Sequence, residues 1–132
     1  MVNICFSCGK CCLDTEMQLT LDDLTRIEAS MGKSWKEFSR WDGNSNVILK
    51  NVNHHCIFFS PTDKSCTIYE IRPFGCQLYP VVLNPWSNRC SYDKDCPHPK
   101  QISPAKFLDA KCRLIKKQLP HFFFSREPQT NE

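Results

Sequence analysis

This sequence lacks long apolar runs and a start that resembles a leader peptide, and it contains little glycine. No stretch approaches the roughly 20 apolar residues that a membrane-spanning helix requires, and residues 1–5 show neither the basic nor the apolar region of a secretory signal peptide. The chain has only four glycines, and none of them forms a glycine-rich loop after a strand, as nucleotide or S-adenosylmethionine binding would require. The sequence therefore predicts a cytoplasmic protein with no membrane partner.

Cysteine, by contrast, is abundant, with ten in 132 residues. Packing does not explain this number, because a buried thiol fills space no better than other small apolar side chains. Disulfides or metal thiolates would explain it, and a reducing cytoplasm disfavours disulfides. We therefore expect a metal ion or an iron–sulfur cluster on which folding of this small domain depends.

The charge of the chain gives little indication of its partner. The formal net charge of +3 leaves out cysteine, and metal-bound thiolates would offset it. One short basic cluster falls on a predicted helix: Lys111, Arg113, Lys116 and Lys117. A solvated helix face explains this cluster more simply than a phosphate-binding patch, so nucleic acid is a subordinate alternative.

Two capped helices are predicted after the first cysteines. Thr20 is an N-cap candidate, and apolar residues follow it at helical spacing until Gly32. Ser34 and Glu37 form a second capping box, which predicts a shorter helix to about Arg40. We expect these two helices to form a helical hairpin.

Short strands and one further helix are predicted after them. Val47–Leu49 and residues 56–59 have the β-branched and aromatic composition of a small β-hairpin. Residues 60–99 are so rich in proline and cysteine that metal ligation, rather than strand ladders, should shape them. Ser103, followed by a proline, is the predicted N-cap of a helix to about Leu119.

These elements predict a small α+β fold that is irregular, loop-rich and stabilised by metal. It should have two or three helices and a short β-hairpin. Residues 1–124 should form one cysteine-cluster domain, and residues 125–132 a flexible C-terminal tail. The run Phe122, Phe123 and Phe124 is expected either to pack back on the core or to mark a partner surface.

The most distinctive motif is Cys5-x-x-Cys8-x-x-Cys11-Cys12. A two-residue spacing lets one tight turn direct two thiolates at a common centre. Three such cysteines in succession open the ferredoxin pattern for a [4Fe-4S] cluster, but zinc accepts the same spacing, so spacing does not settle the metal. Adjacent side chains of an extended segment point to opposite faces. Cys11 and Cys12 therefore predict either two neighbouring centres or one unused thiol.

The other cysteines occur singly and match no zinc-finger spacing. They are Cys56, Cys66, Cys76, Cys90, Cys96 and Cys112. Between two of them, Arg72 offers a fixed charge to nearby thiolates, and Glu70 is its candidate partner. A surface ion pair explains Glu70 and Arg72 equally well. His98 is a candidate nitrogen ligand, although a lone histidine is more often a surface residue.

Together these motifs resemble the CxxCxxCC family of zinc- or iron-chelating domains, also called YkgJ-type cysteine cluster proteins. The resemblance covers residues 3–100, and its later motifs are a cysteine before a hydrophobic pair, Cys-x-Ile-Tyr-Glu-x-Arg-Pro, Tyr-Pro and Cys-Pro. It implies eight metal ligands: Cys5, Cys8, Cys11, Cys12, Cys56, Cys66, Cys76 and Cys96. The linking motif it implies consists of Glu70, Arg72, Pro73, Tyr79 and Pro80. Gln77 and His98 depart from the family pattern, where arginine and glycine are expected. Cys90 and Cys112 lie outside it and are expected to be structural thiols.

The resemblance implies metal binding more than a particular activity. The leading prediction is a non-enzymatic accessory or redox subunit of a larger protein complex, with a [4Fe-4S] cluster preferred over zinc and room for two centres. A related cysteine cluster occurs in flagellin lysine N-methylases, so a metal-dependent enzyme or maturation factor is an alternative. Its candidate acid–base residues would be His54, His55, Asp93, Asp95 and His98. A zinc module associated with nucleic acid or the ribosome is the second alternative.

Overall fold

A three-stranded antiparallel sheet forms the first part of the fold. The computed structural model describes residues 15–84, 86–94 and 96–128. The sheet consists of β1 (Gln18–Leu19), β2 (Ser39–Trp41) and β3 (Val47–Leu49). Its spatial order is β1-β3-β2, with Leu19 opposite Val47 and Ser39 opposite Leu49. The central strand β3 is therefore hydrogen-bonded to β1 on one side and to β2 on the other.

Two helices begin at the predicted capping boxes. They are α1 (Leu21–Met31) and α2 (Trp35–Phe38). The Thr20 hydroxyl accepts from the Asp23 N–H, and the Asp23 carboxylate accepts from the Thr20 N–H, both at 3.0 Å. Gly32 ends α1 with φ +65°, a conformation in which a side chain would be strained. The prediction for α1 is thus confirmed at both ends.

The second helix is shorter than predicted, because it ends at Phe38 rather than near Arg40. Ser39 is buried, and its hydroxyl donates to the Trp35 carbonyl at 2.7 Å. The chain then continues directly into β2, which pairs with β3. Residues 39 and 40, which the sequence predicts to be helical, therefore belong to a strand, because they pair with β3. The second helix of the expected hairpin continues directly into this strand.

The predicted hairpin between Val47–Leu49 and residues 56–59 is wrong. β3 pairs within the sheet, and β4 (Asn51–Val52) pairs instead with β5 (His55–Cys56). The two residues between them, Asn53 and His54, have φ values of +52° and +67°. Two consecutive positive φ values match the twist of a tight two-residue hairpin. This turn reverses the chain before the predicted partner strand is reached.

Strand ladders also form within residues 60–99, contrary to the expectation that ligation alone shapes them. Two hairpins, a 3₁₀ turn and a helix occupy this region: β6 (Phe59–Ser60) with β7 (Ser65–Cys66), Tyr69–Ile71, α3 (Phe74–Leu78), and β8 (Val81–Asn84) with β9 (Arg89–Tyr92). Pro73 lies directly before α3, and Pro80 lies directly before β8. These prolines separate the elements without interrupting their hydrogen bonds.

The C-terminal region is divided into several short helical pieces. They are α4 (Pro99–Ile102), a 3₁₀ turn at Ala105–Phe107, α5 (Leu108–Gln118) and a 3₁₀ turn at Leu119–Phe122. Ser103 does not cap the predicted helix, because its hydroxyl accepts from Lys111 Nζ at 2.7 Å. The Tyr92 hydroxyl also donates to the Ser103 carbonyl, at 2.7 Å. Ser103 is fully buried and directly follows α4. Through these two hydrogen bonds it connects the end of α4 to β9 and to α5.

Cys90 and Cys112, expected to be structural thiols, form a disulfide. The bond links β9 to α5, with the two Cα atoms 5.7 Å apart and a sequence separation of 22. A cross-link closing a loop of this length stabilises a fold by about 3 kcal/mol, because it restricts the unfolded chain. The pairing depends on α5 packing across the β8–β9 hairpin, which the spacing of the two cysteines does not reveal.

The hydrophobic core lies between the sheet, the first two helices and the two short hairpins that follow. Its buried members are Leu19, Leu24, Ile27, Trp35, Phe38, Val47, Leu49, Cys56, Phe58 and Ile68. Phe124 packs against this cluster and contacts Trp41 edge-on, while Phe122 is buried and Phe123 is 54% exposed. The predicted α+β, loop-rich fold is therefore confirmed. Within the described residues, every helix is too short or too polar to cross a membrane.

Candidate metal centre

The four cysteines of the opening motif, Cys5, Cys8, Cys11 and Cys12, lie outside the described residues. The described chain begins at Thr15, three residues after the motif. The Thr15 N–H donates to Asn51 Oδ1 at 3.0 Å, and Asn51 Nδ2 donates to the Thr15 carbonyl at 2.9 Å. One side-chain amide therefore holds both backbone groups of Thr15.

Asn51 also lies next to a predicted ligand. In the β4–β5 hairpin it is directly opposite Cys56, and residues opposite each other in an antiparallel pair have Cα atoms about 4.5–5.5 Å apart. Thr15, the first described residue after the opening motif, is thereby fixed to the strand pair that contains Cys56. Sequence reasoning missed Asn51, since an asparagine beside a turn has no feature that distinguishes it.

A second contact brings the same part of the chain to Cys76. Gly75, the residue before Cys76 in α3, lies so close to Met17 that a Cβ atom at Gly75 would overlap the Met17 side chain. The Leu49 N–H also donates to the Met17 carbonyl, at 3.0 Å. Thr15 thus contacts the hairpin that contains Cys56, and Met17 contacts the helix that contains Cys76.

Cys56 has the surroundings expected of a metal-binding sulfur. It is 7% exposed, and the backbone N–H groups of Phe58 and Phe59 donate hydrogen bonds to it. Burial raises the pKa of the Cys56 thiol to about 11; the nearby Cys66 adds to the increase, and the two N–H donors oppose it. Backbone donors of this kind stabilise a thiolate once a cation is present to offset the burial.

The other predicted cysteine ligands are positioned by separate elements. Cys66 in β7 and Cys76 in α3 are half-buried and pack against the core that includes Cys56. Cys96 is buried, and its N–H donates to the Asp93 carbonyl at 3.1 Å. In the part of the chain that the structure describes, no three His, Cys, Asp or Glu side chains form a group able to hold a metal ion. The eight-ligand set stays a prediction.

Arg72 is fixed by its neighbours rather than by Glu70, which is exposed. One guanidinium nitrogen of Arg72 donates to the Tyr69 carbonyl at 2.8 Å, and the group lies 4.1 Å from the centre of the Tyr69 ring. Its Nε atom is buried without a hydrogen-bond partner. The Arg72 carbonyl accepts from Gln77 Nε2 at 2.9 Å. The contact of Arg72 and Glu70 with metal ligands stays a prediction.

The candidate acid–base residues occupy different environments. His54 lies exposed in the β4–β5 turn, and His98 lies exposed before α4. The His55 ring contacts Phe59 edge-on at 5.0 Å, and its Nδ1 atom is buried without a partner. Asp95 lies outside the described residues. Nothing in these positions favours an acid–base role over a packing or surface role.

Asp23 links the first helix to the element that contains Cys76. It is 1% exposed, and its Oδ1 atom accepts from the Phe74 N–H and from Arg26, both at 3.0 Å. Because Phe74 begins α3, this carboxylate orients the helix that presents Cys76. The position of Asp23, three residues after the predicted N-cap Thr20, gave no indication of this longer-range contact.

The family described as "Putative zinc- or iron-chelating domain", CxxCxxCC, matches residues 4–113. The chain belongs to the CxxCxxCC family. An uncharacterized protein of Methanocaldococcus jannaschii is 32% identical to this CxxCxxCC domain over 83 residues, which is 60% of the present chain. The chain spans 44% of the length of that relative. No solved structure matches the chain.

The Asn51 contact yields a testable prediction. An Asn51→Asp variant retains an acceptor for the Thr15 N–H but places a carboxylate against the Thr15 carbonyl. We expect it to lower the free energy of unfolding by about 1–3 kcal/mol, because the carbonyl loses its donor. Urea denaturation measures the change. Asn53→Asp makes the same chemical change at an exposed turn residue two positions away and should have little effect; equal losses in both variants would contradict the role of Asn51.

Proposed function

We propose that this protein binds a thiolate metal centre whose ligands come from the opening motif and from Cys56, Cys66, Cys76 and Cys96. One observation supports it above the others. The segment after the opening motif is held by Asn51, which lies directly opposite Cys56. Cysteines that are far apart in sequence would thus meet on one side of the core.

The length of the connecting chain is compatible with this arrangement. Cys12 precedes Thr15 by three residues, and an extended chain spans at most about 3.3–3.6 Å per residue. The chain length therefore limits the distance between the Cα atoms of Cys12 and Thr15 to roughly 11 Å. Because Thr15 is bound to Asn51, the strand partner of Cys56, the chain length is compatible with a Cys12 thiolate and the Cys56 sulfur as ligands of one centre.

The types of donor also fit a zinc ion or an iron–sulfur cluster. Cysteine sulfur is the common ligand of both, whereas hard cations such as magnesium prefer oxygen. The Phe58 and Phe59 N–H groups that point at Cys56 would remain as donors to a metal-bound thiolate. The metal would supply a fixed positive centre that crosslinks the loops.

Of the two kinds of centre we prefer a [4Fe-4S] cluster, on the three two-residue-spaced cysteines of the motif. The adjacent Cys11 and Cys12, together with the four later cysteines, leave enough ligands for a second centre. We propose a cytoplasmic location, because thiolate ligands persist there; the Cys90–Cys112 disulfide is the one described feature that a reducing compartment opposes. A [4Fe-4S] cluster would also suit the role that we propose for the protein, that of an accessory or redox subunit of a larger complex.

Metal analysis of anaerobically purified protein tests the proposal. A brown preparation with iron and inorganic sulfide in equal amounts is expected for the cluster. A colourless protein with stoichiometric zinc would support the proposed thiolate centre but rule out the iron–sulfur cluster. Protein that folds fully with neither metal would overturn the whole proposal.

Proton release on metal uptake provides an independent test. The Cys56 thiol has a pKa of about 11 without metal, so it is protonated at pH 7.5 and must lose its proton when its sulfur binds a cation. Zinc added to metal-free protein in weak buffer with a pH indicator should therefore release about one proton fewer per bound zinc from a Cys56→Ser variant. The Cys90→Ser/Cys112→Ser variant should release as many protons as the parent. Equal release from the Cys56→Ser variant would show that Cys56 is not a ligand.

A further inference from the structure

The charge of the chain is distributed unevenly between its two parts. Residues 81–132 contain nine Lys and Arg against five Asp and Glu, a net charge of +4, whereas residues 1–80 have a net charge of −1. The positive charge is concentrated on α5, where Arg113, Lys116 and Lys117 are all exposed. The C-terminal part therefore has an electrostatic preference for anions that the rest of the chain lacks.

An exposed aromatic ring lies at the end of the hairpin on which α5 packs. Trp86 is 96% exposed, although the turn around it is well held. The Asn84 side chain accepts from the Trp86 N–H at 2.9 Å, and the Asn84 carbonyl accepts from the Asn88 N–H at 2.8 Å. Burial in the fold cannot account for this tryptophan, because its side chain remains almost entirely in solvent.

The disulfide brings the ring and the charges onto one region of the surface. Arg113 adjoins Cys112, Trp86 precedes Cys90 by four residues at the end of the hairpin, and the Cα atoms of the two bonded cysteines are 5.7 Å apart. Lys117 follows Arg113 by one helical turn. Arg89 is excluded from this group, because it adjoins Cys90 in β9 and so points to the opposite face of the hairpin. We call Trp86, Arg113 and Lys117 the basic face.

We propose that the basic face binds a single-stranded nucleic acid, with arginine and lysine contacting phosphates and an unpaired base stacking on Trp86. A phosphodiester chain supplies regularly spaced negative charges, and only an unpaired base exposes a flat ring for stacking. A membrane is a poorer match, because the neighbours of Trp86 in the turn, Asn84, Ser87 and Asn88, are polar and would resist insertion into lipid. This interaction is separate from metal binding and does not depend on the identity of the metal.

Fluorescence anisotropy with a labelled oligouridine of about 12 nucleotides tests the proposal on the metal-containing full chain. The parent should bind at low salt, and its affinity should fall with added salt. Trp86→Ala should weaken binding about 5- to 150-fold, whereas Trp86→Phe should retain most of the affinity. A blunt duplex of the same length should bind more weakly than the single strand.

Charge reversal tests the phosphate contacts separately. The Arg113→Glu/Lys117→Glu variant should bind more weakly and reduce the salt slope by about 0.7 for each phosphate that the protein no longer neutralises. Lys33→Glu/Lys64→Glu makes the same charge change at exposed residues of the other part of the chain and should change affinity much less. Equal weakening in both variants, no effect of Trp86→Ala, or binding to anionic lipid vesicles without binding to the oligouridine would overturn the proposal. Any of these results leaves the metal proposal intact.

Discussion

A Cys56→Ser variant is expected to lose most of its bound metal and, with it, its cooperative unfolding. Metal binding contributes about 10–16 kcal/mol in small structural thiolate sites, so loss of one ligand in four should weaken binding about 100-fold or more. Cys56 should be especially sensitive, since its burial and its two backbone donors are specific to the position of the sulfur. Metal content per chain after gel filtration, together with thermal unfolding, measures the effect.

The disulfide provides the matched control for this experiment. Cys90 and Cys112 are bonded to each other and are not proposed ligands. The Cys90→Ser/Cys112→Ser variant should therefore keep its metal while losing about 3 kcal/mol of stability from the opened loop. Full metal content in the Cys56→Ser variant, or loss of metal in the double variant, would contradict the proposed division between ligands and structural cysteines.

Asp23→Ala is expected to have the largest effect on folding among changes outside the cysteines. The substitution leaves the N–H groups of Thr20 and Phe74 without their acceptor and removes one of the two carboxylate partners of the half-buried Arg26. Breaking a buried charged network by removal of one partner costs about 3–5 kcal/mol. Urea denaturation of the metal-containing protein would measure the loss.

Asp22→Ala distinguishes this network from a simple surface ion pair. Asp22 bonds to the same arginine, at 3.1 Å, but its side chain is 90% exposed. Exposed pairs contribute about 0–1 kcal/mol, so this variant should resemble the parent. A similar loss in Asp22→Ala and Asp23→Ala would mean that the Arg26 charge, rather than the buried hydrogen bonds to Thr20 and Phe74, holds the two helices in place.

The parts of the fold that depend on local chemistry were predictable from the sequence. Both capping boxes and the glycine that ends α1 are short-range patterns, and the structure has all three. The pairing of β3 was not predictable in this way, because it depends on two strands, β1 and β2, that are too short to show alternation. The tight turn at Asn53 and His54 likewise contains no glycine, the residue that most often marks such turns.

The candidate site shows the same division between local and long-range information. The sequence motifs predicted which cysteines could bind metal, since ligand spacing is a local property. The contacts that hold the elements next to the predicted ligands are long-range: Asn51 reaches Thr15 across 36 residues, and Asp23 reaches Phe74 across 51. Polar side chains with such partners look like ordinary turn or cap residues in the sequence.

The location of the core has a consequence for how the protein responds to its surroundings. All members of the buried cluster fall between Leu19 and Ile68, whereas α5 has no buried residue and is joined to its hairpin by the Cys90–Cys112 bond. Heat and denaturant act mainly on apolar burial, while the thiol–disulfide balance of the compartment acts on the covalent bond. The stability of the core and the attachment of α5 thus respond to different conditions. Reduction of the disulfide would loosen the C-terminal helix while the core stays folded.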